Sequence, residues 1–301
     1  MNYQEVIARL KKEKNAVILA HYYVRPEVQE IADYIGDSFY LSKMAQGLQN
    51  PVIVFCGVNF MGESGKLLSP GKTVLMPDMT ADCPMAHMVT KEEVDRYRKQ
   101  YEDLAVACYI NSTAEIKSWS DVCVTSANAV KVIRSLPNKN ILFIPDRNLG
   151  SFVGKQVPEK NVMVVNGCCP IHDKISAQEL KDLKAEHPNA PVLVHPECRK
   201  EVCDLADYIG STTGIIKYAQ EHADQEFIIG TENGVLYDLK KKNPGKTFYF
   251  PRTTPICPDM KTITLEKIVH VLKTGENSIR VPTEMTAPAG TTLELMLELS
   301  K

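Results

Sequence analysis

No stretch of this 301-residue sequence stays apolar for the roughly 20 residues that a membrane-spanning helix requires. The opening residues, MNYQEVIARLKKEK, lack the continuous apolar core of a secretory signal, so a soluble, cytoplasmic protein with no membrane association is expected. Charge of one sign is missing as well: 35 Lys and Arg stand against 37 Asp and Glu, a formal net charge of −2. Without a basic field or a Lys/Arg stripe interleaved with aromatics, nucleic acid is not an expected partner. GxGxxG is absent, and GESGK (Gly62 to Lys66) fails as a phosphate loop. Phe60 stands where that loop needs its first glycine, and Leu67 replaces the Ser/Thr that would bind magnesium. ATP and dinucleotide use are therefore unsupported. CxxC pairs are missing too, which weakens the case for a structural zinc site.

What is present is globular in character, with 44% hydrophobic and 24% charged residues over a length suited to two or three small domains. Nine cysteines in a chain without a secretory signal read as thiols or metal ligands rather than disulfides.

The dominant signal is an internal repeat. Apolar runs lead into His21, Tyr109 and His195, at intervals of 88 and 86 residues. Counting each as position zero, Glu27, Glu115 and Glu201 fall at +6 and Asp33, Asp121 and Asp207 at +12. Ser38, Ser126 and Thr212 fall at +17, further apolar runs begin at +32 (Ile53, Ile141, Phe227), and PGK, PEK or PGK opens at +49 with Pro70, Pro158 and Pro244. A third apolar run starts at +53 with Val74, Val162 and Phe248. Asn2, Thr90 and Ser176 lie at −19, each followed three residues later by glutamate, which predicts capping boxes at helix starts. Helical spacing after +17, as in Leu41, Met44, Ala45 and Leu48, alternates with short apolar strands, the mark of parallel sheets covered on both faces.

The expected fold class is α/β: three small α/β domains related by pseudo-threefold symmetry around a central active site, each a short parallel sheet with helices on both faces. Their expected boundaries are 1–84, 85–170 and 171–258, with residues 259–301 packing back on the first to close the ring.

Ligands collect at the carboxyl ends of strands in open parallel sheets. Positions +0 and +2 lie there in every copy and hold His21 and Tyr23, Tyr109 and Asn111, His195 and Glu197. A lone histidine at such a place is usually a locally bonded turn residue; the shared register favours a common cleft instead. Ser38, Ser126 and Thr212 are residue types that cap helices, and three helix starts facing one cleft would receive phosphate and carboxylates.

Three cysteines obey the frame. Cys83, Cys169 and Cys257 lie at +62, +60 and +62, each followed by proline. Cys56, Cys108 and Cys123 sit within apolar runs as core residues, and Cys198 and Cys203 have no framed partner. Three thiolates delivered to one axis suit a metal centre. A [4Fe-4S] cluster held by three cysteines would keep one iron open to substrate as a Lewis acid.

The Cys-Pro sites together with AHYY, GDS, YINS, TSANAV, PDRNLG, NGCCPIH, VHPEC and GTENG resemble the quinolinate synthase family over nearly the whole chain. The resemblance implies condensation of iminoaspartate with dihydroxyacetone phosphate, with release of phosphate and water, to give quinolinate, the pyridine precursor of NAD. It also implies functional coupling to the enzyme that supplies iminoaspartate. Carried over by motif, Cys83, Cys169 and Cys257 become ligands of one [4Fe-4S] cluster. His21, Ser38, Tyr109, Asn111, Ser126, His172, His195, Glu197, Ser211 and Thr212 become the substrate-binding set. Tyr23 and Glu197 are the favoured proton-transfer groups, with His21, His195 and Tyr109 beside them. This sequence departs from many relatives in placing Cys168 beside Cys169, and it lacks the late CxxCxxC of some members. Two rivals of other classes remain: a non-catalytic iron–sulfur sensor of oxygen or iron, and a zinc hydrolase.

Overall fold

The expected opening helices begin where their capping residues stand. In the computed structural model, which describes residues 2–301, the side chains of Asn2, Thr90 and Ser176 accept the backbone N–H of Glu5, Glu93 and Glu179. The helices Tyr3–Lys14, Lys91–Gln100 and Ala177–Glu186 follow. Residue 1, the first of the expected first unit, lies outside the described residues. Two of the three glutamates that were to complete the boxes have other partners. Glu93 lies 3.5 Å from Arg96, and the Glu179 carboxylate accepts from the backbone and hydroxyl of Thr253.

Among the described residues there are three four-stranded, wholly parallel sheets. The first contains β1 (Ala16–His21), β2 (Tyr34–Gly36), β3 (Val52–Cys56) and β4 (Thr73–Leu75), in the order β2-β1-β3-β4. The second contains β5 (Leu104–Tyr109), β6 (Val122–Val124), β7 (Asn140–Ile144) and β8 (Asn161–Val164), ordered β6-β5-β7-β8. The third contains β9 (Val192–Val194), β10 (Tyr208–Ile209), β11 (Glu226–Gly230) and β12 (Thr247–Tyr249), ordered β10-β9-β11-β12. The same strand order three times is the structural form of the sequence repeat. Every residue of β1 and of β5 is buried, as near-continuous apolar runs in parallel sheets require.

The framed residues that carry no chemistry hold each unit together. Asp33, Asp121 and Asp207 each accept the backbone N–H of the strand residue three before the zero position, from Ile18 at 2.8 Å, Val106 at 2.7 Å and Val192 at 2.8 Å. Each aspartate's own N–H bonds back to the carbonyl of that same residue. The lysines of PGK, PEK and PGK close the opposite end. Lys72 donates to the carbonyls of Ala45 and Leu48, Lys160 to those of Leu136 and Asn138, and Lys246 to those of Ala219 and His222. All of these carbonyls but that of Asn138, in the loop that follows, lie at the carboxyl end of a middle helix, where an ammonium also meets the negative end of the helix dipole.

Helix Leu265–Thr274 packs on Tyr3–Lys14. The terminal helix Thr283–Leu299 reaches beyond the first unit. It lies across Ala114–Ser118 and β6 of the second unit as well as Asn59–Leu68 of the first, burying Leu293 and Met296 and setting Thr292 Oγ1 3.2 Å from Cys123 Sγ. Ala289 and Thr292, both buried, lie in that seam with Leu293 and Met296. No helix among the described residues is long and apolar enough to cross a membrane.

Candidate active site

The carboxyl ends of β1, β5 and β9 converge on one central cavity. Its walls include His21, Tyr23, Ser38 and Cys83 from the first unit, and Tyr109, Asn111, Ser126 and Cys169 from the second. The third adds His195, Glu197, Thr212 and Cys257, with His172 alongside. Ser211 is the exception. Its side chain caps the helix Thr212–Glu221 by accepting from Gly214 N–H, and it faces a neighbouring groove with Tyr40 and Lys43.

The expected caps at +17 are displaced by one residue. Asp37 caps the helix Ser38–Gly47 and Ser211 caps Thr212–Glu221, so Ser38 and Thr212 occupy the first turn on the cavity wall, with Thr212 Oγ1 2.8 Å from the Tyr23 hydroxyl. In the second unit Ser126 lies ahead of Asn128, and the helix Ala129–Ser135 starts without a side-chain cap. Two helix starts rather than three caps therefore present polar ends here.

The histidines share one geometry. His21 Nδ1 accepts the backbone N–H of Tyr23 at 3.1 Å, and His195 Nδ1 that of Glu197 at 3.3 Å. Each imidazole therefore keeps its proton on Nε2, and His195 Nε2 lies 3.2 Å from Ser126 Oγ. Burial drives both histidines down to about 3, so they donate hydrogen bonds as neutral rings.

Glu197 is buried, with Oε2 2.8 Å from His172 Nδ1 and 3.4 Å from His195 Nδ1. Burial alone would raise its carboxyl, but the adjacent His172, in hydrogen-bond contact with it, outweighs that and brings it down to about 2. Its Oε1 has no hydrogen-bond partner, nor has Asn111 Oδ1, although both are buried. Unpaired buried acceptors on a cavity wall are what a bound polar molecule would satisfy. The phenols of Tyr23 and Tyr109 are held protonated, first by burial and then by the Glu197 charge.

The three cysteine loops are tied down identically. The backbone N–H at +38, from Asn59, Arg147 or Asn233, donates to the carbonyl of Ala81, Gly167 or Pro255 at 2.9, 2.8 and 2.8 Å. Each carbonyl lies two residues before a cysteine: Cys83, Cys169 and Cys257. By this bond Cys169, not Cys168, is the second unit's counterpart, and the shorter +60 offset is absorbed before the loop. Burial pushes the Cys83 thiol up to about 12, the Cys257 thiol up to about 11, and Cys169 well above its ordinary value. The thiols also act on one another, Cys257 on Cys83 and Cys83 on Cys169. Thiols in such a place give up protons readily only to a cation, so this donor set fits a metal centre. Cys169, His172 and Glu197 also place ligand atoms within 4.8 Å of one another.

Two carboxylates escaped the sequence reading. Asp146 Oδ2 accepts the Cys169 N–H at 3.1 Å, and Glu232 Oε1 that of Cys257 at 3.0 Å; both carboxylates are buried. Both stand at +37, inside PDRNLG and GTENG, but Val58 holds that place in the first unit. A pattern present in two units of three was the available signal. Cys83 makes do with its neighbour Asp82, whose Oδ1 accepts at 2.9 Å.

Residues 5–298 match the family described as Quinolinate synthetase A protein. The chain belongs to that family. Relatives named quinolinate synthase include one from Clostridioides difficile (strain 630), 51% identical over 295 residues that cover 98% of this chain and 97% of the relative. One from Caldicellulosiruptor bescii is 53% identical, covering 97% of each chain, and one from Fusobacterium nucleatum subsp. nucleatum is 52% identical, covering 98% of each. Quinolinate synthetase A family membership therefore extends over the three sheets, the central cavity and the terminal helices together.

Proposed function

We propose that this chain joins iminoaspartate to dihydroxyacetone phosphate and releases phosphate and water to form quinolinate, in the cytoplasm and on the route to NAD. The observation that carries the reading is one cavity, shared by three units, whose walls bring together Cys83, Cys169 and Cys257 with Glu197, Tyr23 and Tyr109. Cys83, Cys169 and Cys257 would hold one [4Fe-4S] cluster. When bound, that cluster supplies a Lewis-acidic iron without a protein thiolate, which favours departure of a hydroxyl.

The chain's own groups supply the rest. Condensation, phosphate loss and ring closure each move a proton near a carbonyl or imine, and Glu197 is the cavity carboxylate held low by its contact with His172. Tyr23 and Tyr109 are protonated phenols placed to give a proton. Among the described residues no Lys or Arg lines the cavity, so phosphate and carboxylates would be held by neutral donors: the Nε2–H of His21 and His195, Asn111, and the hydroxyls of Ser38, Ser126 and Thr212. An arriving anion would also raise the histidines toward the charged form.

The compact Cys169–His172–Glu197 trio favours a second reading, a single zinc ion in a hydrolytic site. Anaerobic reconstitution, iron, sulfide and zinc analysis, and an assay with both substrates decide between them. Iron and sulfide in equal amounts with quinolinate formed supports the synthase. One zinc per chain, or a fully loaded cluster that yields no quinolinate, overturns it.

A further inference from the structure

Each unit places a hydrogen-bond donor eight residues past its zero position, and only the second unit fills that place with a charge. Gln29 Nε2 donates to the Val24 carbonyl at 3.0 Å, Cys203 Sγ to that of Cys198 at 3.5 Å, and Lys117 Nζ to that of Ser112. All three carbonyls stand at +3, so the bond latches the turn after the strand, and an amide or a thiol serves where Lys117 brings an ammonium. Lys117 is fully buried on the short helix Ala114–Ser118. Among the described residues it has no carboxylate partner; its other contact is the Phe60 ring, whose centroid lies 5.4 Å from Nζ. Lysine is rarely buried so completely without a partner, because its charge loses hydration and gains nothing in exchange.

Both contacts are the outer side of the central cavity wall. Phe60 lines the cavity, and so does Asn111, the residue before Ser112. The cavity's own charge is negative, from the ionised Glu197. Lys261, a second cation near the wall, is paired with Glu232 at 2.9 Å. Cys108 is only a partial counter-ion for Lys117. Burial would raise that thiol, and its bond to Cys123 and the Lys117 charge bring it down only to about 7. A buried charge with a buried ring between it and the cavity is screened far less than one in water.

We propose that Lys117 sets the cavity's preference for anions: it is a cation one layer behind the wall that attracts the ligand's phosphate and carboxylate groups without touching them. This rests on the reading of the cavity as the site of quinolinate formation. Lys117→Gln copies the first unit's own latch and removes the charge; Lys117→Met removes both.

In the reconstituted full chain, Kd is measured for quinolinate, picolinate and picolinamide, which carry two, one and no negative charges. The glutamine variant should weaken quinolinate roughly 10- to 100-fold, picolinate roughly 3- to 10-fold and picolinamide less than about twofold. KM for dihydroxyacetone phosphate should rise roughly 10-fold while kcat stays within about threefold, the pattern of binding lost equally from ground and transition states. Equal losses for the three probes would mean a distorted wall rather than a missing charge and would overturn the proposal. A quinolinate Kd within about twofold of the parent's would do the same, since the charge would then not reach the cavity. So would a Cys108→Ser variant that binds quinolinate more than about threefold tighter, because the thiol would then be the counter-ion. Should the glutamine variant not fold, Lys117→Met takes its place and is judged by the same three probes. A parent chain that neither binds nor forms quinolinate refutes the function itself, whatever Lys117 does.

Discussion

His195 accepts at Nδ1 the backbone N–H of Glu197, two residues further along, and His21 repeats the arrangement with Tyr23. A strand end that turns back on its own imidazole fixes both the ring's orientation and its tautomer. The proton stays on Nε2, aimed at whatever fills the cavity. Coming from the first and third units alike, this makes two neutral donors out of residues that could have been cations.

Neutral burial has a pH consequence. Folding lowers His21 from 6.5 to about 3, so below pH 6.5 the unfolded chain binds a proton that the folded chain refuses. The stability tied to His21 is complete above pH 6.5 and is lost as the pH falls toward 3. Asp146, raised to about 8 first by burial and then by Glu197, titrates in the opposite sense, so the whole-protein curve mixes the two. The difference between the metal-free parent and His21→Gln isolates the histidine. In urea titrations the parent should lose its advantage on acidification by up to about 1.4 kcal/mol per pH unit between pH 6 and 4. A pH-independent difference would mean that His21 is charged in the folded protein.

Glu197→Gln should lower turnover by roughly 10² to 10⁴, the span of a lost general base, while metal content and fold persist. Because its contact with His172 holds this carboxyl at about 2, it should stay ionised throughout the working range. The acid limb of the pH–rate profile then belongs to another group and survives the substitution. Near-parental turnover with both substrates would remove Glu197 from the role.

The repeat was legible because it serves two ends at once. Asp33, Asp121 and Asp207 clamp strands, Lys72, Lys160 and Lys246 close helices, and the zero positions carry the cavity, so one register exposes scaffold and site together. What stayed hidden breaks the threefold rule. Asp146 and Glu232 answer to Val58 in the first unit, and a test for three matches discards them. The caps slipped by one residue for a different reason: Asp37 and Ser211 directly precede the framed Ser38 and Thr212, and both members of each pair are polar capping types. Only backbone geometry separates a cap from the residue after it.

Cys168 and Cys169 offer adjacent thiols, and the loop bond from Arg147 N–H to the Gly167 carbonyl aligns Cys169 with Cys83 and Cys257. Cys169 lines the cavity, whereas Cys168 lies away from it among Asp173, Arg147 and Arg199. Cys169→Ala should purify without a complete cluster and without activity, and Cys168→Ala should keep both. Iron and sulfide analysis of the two variants, reconstituted anaerobically, checks this; a cluster lost with Cys168 and kept without Cys169 would reverse the assignment.

Asp146 joins two tasks in one buried side chain. Its Oδ1 accepts the Leu149 N–H at 2.8 Å and so caps the helix Arg147–Gln156, while Oδ2 holds the Cys169 N–H at 3.1 Å. Alanine removes both acceptors and should cost about 1–3 kcal/mol in urea unfolding of the metal-free chain, the range for a buried N–H left unpaired together with a lost cap. Asparagine separates the tasks. Its single oxygen can still cap the helix, but its amide nitrogen is a donor and would face the Cys169 N–H, donor against donor. Asp146→Asn should therefore retain most of the stability that alanine loses, yet take up less iron when iron and sulfide are limiting. Glu232→Gln should behave alike at Cys257, where Oε2 also accepts the Gly234 N–H at 2.6 Å and can keep doing so. Full iron uptake by both amide variants would show that the cysteine loops are held by the three equivalent carbonyl bonds alone, and that the two buried carboxylates serve only the turns that follow them.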